Sequence, residues 1–118
     1  MLFVCYPRCS TCQKAKKWLD EHDADYEWRD IKEQNPTVDE LRAWQEKSGL
    51  PLRRFFNTSG QQYRALGLKD RLDSMSSEEQ LALLATDGML VKRPLLITDD
   101  TVIPGFKEDA YSDAVKAK

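Results

Sequence analysis

Cys9 and Cys12, in the run Cys9-Ser10-Thr11-Cys12, are the residues whose type and spacing most directly allow chemistry. A Cys-x-x-Cys pair can cycle through a disulfide, because the second sulfur stands one helical turn from the first and can attack a mixed disulfide formed there. The thiolate is the reactive form, and a cysteine at the start of a helix gains it from the unpaired N–H groups and the helix dipole. Such sites bring a thiol down from about 8.5 to roughly 3.5–7.5. The order of the pair assigns attack to Cys9 and resolution to Cys12, which falls on the same face as Ala15 and Leu19 and is expected to be more buried. Arg8 and the cluster Lys14, Lys16 and Lys17 are placed to add positive charge. Two other readings use the same residues. Both sulfurs could be small core residues, since free cysteine is among the most buried types. Cys5, Cys9, Cys12 and His22 could hold zinc, although structural zinc usually draws on two separated ligand pairs. Taken alone, Cys5 reads as a packing residue of an apolar strand and His22 as a helix C-terminal cap.

The surrounding elements must hold that pair in place. Leu2 to Cys5 is a short apolar run ended by Pro7, the length of a buried strand. From Ser10 onward Cys12, Ala15, Trp18, Leu19 and His22 recur at helical spacing, with charge mostly on the other face. Tyr26, Trp28 and Ile31 then alternate with Glu27, Arg29 and Asp30, the pattern of a half-buried strand. Strand, helix, strand in this order implies a right-handed crossover between parallel strands. Three capped helices are expected next: Thr37 with Glu40 running to Gly49, Ser59 with Gln62 running to Gly67, and Ser76 with Glu79 running to Gly88. Leu95 to Thr98 and Thr101 to Pro104 form a hairpin about Asp99-Asp100, and Glu108 to Lys116 a short amphipathic helix. The sum is an α/β fold, a four-stranded mixed sheet with flanking helices. We read one domain over residues 1–118, with a helical insertion over about 33–90.

Composition narrows the function classes. The 18 Lys and Arg against 20 Asp and Glu give a net charge of -2, and no run gathers one sign, so a direct nucleic-acid surface is not expected. With 41% hydrophobic and 32% charged residues the chain is expected to fold rather than remain disordered. The apolar opening from Met1 to Tyr6 is stopped by Pro7 and Arg8, short of a signal-peptide core or a membrane span. All 3 cysteines lie in the first twelve residues, which does not suit a disulfide-stapled secreted framework. The expectation is a cytoplasmic protein without membrane contact.

With the first strand, Cys9-Ser10-Thr11-Cys12-Gln13-Lys14-Ala15, the helical insertion and Lys92-Arg93-Pro94-Leu95 in hand, the chain resembles the arsenate-reductase-like family that also contains the Spx regulators. The resemblance implies a thioredoxin-like fold with an extra helical subdomain. It implies Cys9 as the nucleophile, Cys12 as its partner, Arg93 beside the active cysteine, and Pro94 held cis against it. Arg93 has a rationale of its own, since a guanidinium there would stabilise a thiolate and bind an oxyanion through its fork of donors. Ser10, Thr11 and Pro94 are the candidate substrate-binding positions. Arsenate-reducing members use further arginines in the middle helical region and after the hairpin. Here Phe55 to Tyr63 contains none and none follows Arg93, leaving Lys107 as the nearest basic substitute. Arsenate as natural substrate is weakened accordingly.

Three functions follow as expectations. In the first, Cys9 attacks a small-molecule or protein disulfide or another oxidised substrate and Cys12 displaces the product. An external thiol reductant such as glutathione or thioredoxin then restores the pair, with no metal or resident cofactor required. The second is an Spx-like regulator whose disulfide changes its docking on RNA polymerase near Lys47-Ser48-Gly49. The third is an interaction module using Phe55 and Phe56 as an exposed anchor, although packing of the helical insertion explains those rings more simply.

Overall fold

The computed structural model describes residues 1–116. Its centre is β1 (Leu2–Cys5), whose run of side chains is buried on both faces of the sheet. A helix α1 (Ser10–Glu21) leads to β2 (Glu27–Asp30), which returns parallel to β1. On its other side β1 pairs antiparallel with β3 (Leu95–Ile97), and β3 with β4 (Val102–Pro104), giving the order β2-β1-β3-β4. The chain closes in α6 (Glu108–Lys116). Between β2 and β3 lie α2 (Val38–Ser48), α3 (Gln61–Ala65), α4 (Leu68–Arg71) and α5 (Ser77–Leu84), joined in part by short 3-10 turns.

Period-two alternation divides the core at the sheet. Phe3, Cys5 and Leu96 face α1 and α6, where they meet Cys12, Ala15, Leu19 and Tyr111. Val4, Leu95 and Ile97 face the inserted helices, packing with Leu41, Trp44, Phe55, Phe56, Leu68 and Leu84. Among the described residues no helix is long and apolar enough to cross a membrane.

The expected mixed sheet, hairpin and closing helix are all present, and the capping boxes of Thr37 with Glu40 and Ser76 with Glu79 are both formed. Elsewhere the insertion differs from its sequence pattern. Ser59 caps nothing: α3 starts after Gly60, and the Ser59 carbonyl instead accepts a bond from Arg64. Gly67, in the left-handed region at φ 63, does follow the end of α3, but a further helix, α4, starts directly after it, so three expected helices become four. Gly88, by contrast, is no helix stop. The helix α5 ends by Ala85, and a Cβ at Gly88 would collide with the Ile31 carbonyl, so close packing demands the glycine. The expected inward face of β2 also fails in part. On this edge strand Trp28 is 45% exposed, while Arg29 reaches across the opposite face to lie over the Trp44 ring. Phe55 and Phe56 are buried at 0% and 1% exposure, which removes the exposed anchor of the interaction-module reading.

Candidate active site around Cys9

The turn after β1 fixes the first sulfur. Cys9 N–H donates to the Tyr6 carbonyl at 3.0 Å, and the Gln13 side chain donates to the Pro7 carbonyl at 2.9 Å. Cys9 is thereby set as the N-cap of α1, with extended backbone and its side chain left out of any capping bond. The half-buried Cys9 thiol lies below its ordinary value. Its burial acts upward, but the Cys12 N–H, the Cys12 thiol, the Thr11 N–H and the Arg93 charge together outweigh it. The first turn of the helix and Arg93 therefore supply the acidity. Lys16 and Lys17 are engaged elsewhere: Lys16 is bonded to Asp20 at 2.9 Å and Lys17 lies 3.9 Å from Glu21, on the exposed face of α1.

Cys12 sits one turn inward at 1% exposure, where its sulfur accepts the Tyr6 N–H at 3.3 Å. Donation to Cys5 and burial hold its proton well above the ordinary thiol range. Cys5, at 2% exposure, accepts the Trp28 indole N–H at 2.8 Å as well as the Cys12 thiol. These bonds, Cys12 foremost, lower it against its burial. The three sulfurs are unbridged. His22 caps the far end of α1, stacked on Trp18 at 3.8 Å with Nδ1 2.7 Å from the Trp18 carbonyl. Ten helical residues carry it about 15 Å along the axis from Cys12, and further from Cys9, so the four residues of the zinc reading do not converge. No group of three or more metal-binding side chains occurs among the described residues.

Arg93 arrives from the segment before β3. Its Nη1 donates to the Met89 carbonyl at 3.3 Å and its guanidinium lies 5.5 Å from the centre of the Tyr6 ring. Its Nε is buried without a hydrogen-bond partner. The Arg93–Pro94 peptide is cis, as the resemblance implies, and Pro94 is buried. Thr11 and Cys9 line a cleft of about 1050 Å³, whereas Ser10 lies on the exposed surface outside it.

The composition of that cleft is its main electrostatic feature. Arg53, Arg54, Arg64, Lys92, Arg93 and Lys107 all line it, and no carboxylate does among the described residues. Of the six only Arg53 has an ion-pair partner among the described residues, Asp73 at 2.6 Å. Sequence reading found Arg93 and Lys107 but missed the other arginines. The arginine-free stretch Phe55 to Tyr63 contributes Asn57 to Gln62 to the wall, and the cations stand just outside it: Arg53 and Arg54 on a 3-10 turn, Arg64 on α3.

Fold and site define a class, thioredoxin-like α/β proteins with a thiol pair at the start of the first helix. Within that class the chain belongs to the ArsC family, whose family model matches residues 5–114. It is 54% identical over 113 residues to the uncharacterized protein YusI of Bacillus subtilis, covering 96% of each chain. The crystal structure of an ArsC family related protein from Bacteroides fragilis superposes with a TM-score of 0.94 at 55% identity, covering 96% of this chain and 95% of that one. The global transcriptional regulator Spx of Staphylococcus epidermidis is 28% identical over 103 residues, 87% of this chain and 77% of Spx.

Proposed function

We propose that the protein is a thiol-based oxidoreductase that reduces a small anionic disulfide or a comparable oxidised compound at Cys9. The observation that carries this is the cleft opening on Cys9 with six cationic side chains and no carboxylate in its described wall. Such a field concentrates anions and lowers the cost of bringing one against a thiolate. In the proposed cycle the Cys9 thiolate attacks one sulfur of the substrate, forming a mixed disulfide and expelling the other half as a thiolate. Cys12 then attacks the Cys9 sulfur, releasing the second half and leaving a Cys9–Cys12 disulfide. Two electrons have passed from the protein to the substrate, and an external thiol reductant such as glutathione or thioredoxin returns them. Arg93 supports the Cys9 anion and presents its guanidinium in the wall of the cleft. Thr11, in the wall of the cleft, would border the bound substrate, whereas Ser10 and Pro94 stand outside that wall.

The additional arginines restore part of what oxyanion binding needs, so arsenate belongs among the substrates to be tried. Turnover is measured with dithiobis(nitrobenzoate), oxidised glutathione and arsenate, each with glutathione or thioredoxin as reductant. Activity on at least one of these, lost in Cys9→Ser, supports the enzyme; absence of turnover with all of them overturns it. The likeness to Spx supports a second reading, a redox-sensing regulator that docks on RNA polymerase. The loop invoked for that contact is already engaged within the chain. Lys47 donates to the Thr98 carbonyl, Ser48 Oγ accepts from Leu50, and Gly49 ends α2 at φ 68. Oxidation-dependent capture of polymerase without turnover would favour the regulator.

A further inference from the structure

The proposed cycle leaves one sulfur idle. Cys5 ends β1 on the face that packs α1, enclosed among Phe3, Ala15, Leu19, Leu96 and Tyr111. A packing residue needs nothing aimed at its sulfur, yet the Trp28 indole N–H is, at 2.8 Å. Trp28 has nearly half its surface in solvent, but its N–H is turned inward onto Cys5. Cys12 belongs to the same buried cluster between β1 and α1 as Cys5, and Cys9 packs against the edge of that cluster.

We propose that Cys5 is the third member of a thiol relay, in which the Cys9–Cys12 disulfide rearranges to a Cys5–Cys12 disulfide. The relay rests on the cycle proposed above for its first disulfide. The Cys5 thiolate attacks the Cys12 sulfur, the Cys5–Cys12 bond forms, the Cys12–Cys9 bond breaks, and Cys9 leaves as a thiolate. One disulfide replaces another, no electrons enter or leave, and one negative charge moves from Cys5 to Cys9. The direction follows from the two environments. Once Cys12 is bridged it no longer donates to Cys5, whereas Cys9 keeps the N-terminus of α1, Arg93 and the cationic cleft. A thiol that is the better-stabilised anion is also the better leaving group. Neither Cys5 nor Cys12 lines the cleft, so the oxidised bond is withdrawn from it while Cys9 is returned to it.

The unpaired cysteine identifies the state. The protein is treated with one equivalent of dithiobis(nitrobenzoate), alkylated with iodoacetamide while folded, and mapped without reduction. The relay gives the label on Cys9 and a Cys5–Cys12 peptide pair, and Cys5→Ala loses the Cys9 label. A Cys9–Cys12 pair with Cys5 left free, and labelled only after denaturation, overturns it. A second arm does not depend on Cys9 chemistry. Serine is a favoured N-cap, so Cys9→Ser keeps the start of α1, and the two-electron oxidant diamide should then link Cys5 to Cys12. Failure of that link overturns the relay and leaves the Cys9–Cys12 cycle standing. Failure of Cys9 to react with any disulfide, with the link still formed in Cys9→Ser, overturns the cycle and upholds the Cys5–Cys12 exchange geometry.

Discussion

Arg29 on β2 holds the Glu40 carboxylate of α2 through two N–H bonds, Nη1 at 2.6 Å from one oxygen and Nη2 at 2.9 Å from the other. The oxygen that takes Nη2 also accepts the Thr37 N–H at 3.1 Å, closing the capping box of α2. One carboxylate thus ties the edge of the sheet to the first inserted helix, and the segment that follows carries Arg53, Arg54 and Arg64 to the cleft beside Cys9.

Glu40→Gln leaves a neutral amide facing the guanidinium and weakens both partnerships, at a cost of about 1–3 kcal/mol in urea unfolding. The pH dependence has a definite sign. The Arg29 bond, with help from Thr37, holds the Glu40 carboxyl below its ordinary value of 4.5 against the effect of burial. Its contribution is therefore complete above 4.5 and is lost as pH falls through the lower folded value. The variant should show a flatter loss of stability over that acid range, and an unchanged acid profile would remove Glu40 from this role.

Alkylation of Cys9 by iodoacetamide should follow a titration whose midpoint lies below that of an ordinary thiol. Arg93→Gln removes the charge that favours the anion and moves the midpoint upward, while the helix N–H groups keep it from reaching that of a free thiol. Lys16→Gln should leave the midpoint where it is, because Lys16 faces Asp20 rather than the cleft. An equal response in both variants would make the effect one of net charge rather than of position.

How far the sequence led is seen best at particular residues. The short apolar run before Pro7, the Cys-x-x-Cys pair and the hairpin about Asp99-Asp100 are local signals, and the sheet follows them. Gly88 and Trp28 were misread because their roles depend on partners distant in the chain. Gly88 is required by the Ile31 carbonyl, and Trp28 is drawn over the sheet edge to Cys5. The cleft was half legible for the same reason: Arg93 came with its motif, whereas Arg53, Arg54 and Arg64 meet it only through the folding of the insertion. Cys5 shows the limit most plainly, since a cysteine that only packs an apolar strand and one that accepts the Trp28 indole N–H have the same sequence pattern.

Gly88→Ala should therefore cost more than the loss of a helix stop would. The new methyl group meets the Ile31 backbone and the Asn35 side chain, and displacing them costs about 1–3 kcal/mol. Gly49→Ala tests the contrast, since at φ 68 it is opposed by backbone conformation alone with nothing within 4 Å of the new atom, a cost of about 1 kcal/mol. Thermal unfolding of the two variants should rank Gly88→Ala as the less stable.

In the proposed cycle the cleft cations act at a distance as well as by contact. Arg54→Ala and Arg64→Ala should each raise KM for an anionic disulfide about two- to fivefold at low ionic strength, with kcat little changed. Added salt should erase most of that difference, because exposed charges are screened over about 8–10 Å. A neutral disulfide of similar size supplies the control, and its KM should not respond to either substitution or to salt. Equal losses for neutral and anionic substrates would mean that these arginines shape the cleft rather than charge it.

Cys12→Ser separates attack from resolution. With Cys9 intact, the first step still joins it to half of the substrate, but no sulfur stands one turn away to displace that half. Cys5 does not replace it, because its hydrogen-bonded neighbours are Cys12 and Trp28 rather than Cys9. The mixed disulfide should therefore accumulate and be seen as a mass increase of half the substrate, carried by the peptide containing Cys9. The same treatment of the unsubstituted protein should leave no such adduct once Cys12 has reacted. An adduct that persists equally in both would show that Cys12 does not resolve it and that an external thiol performs the step.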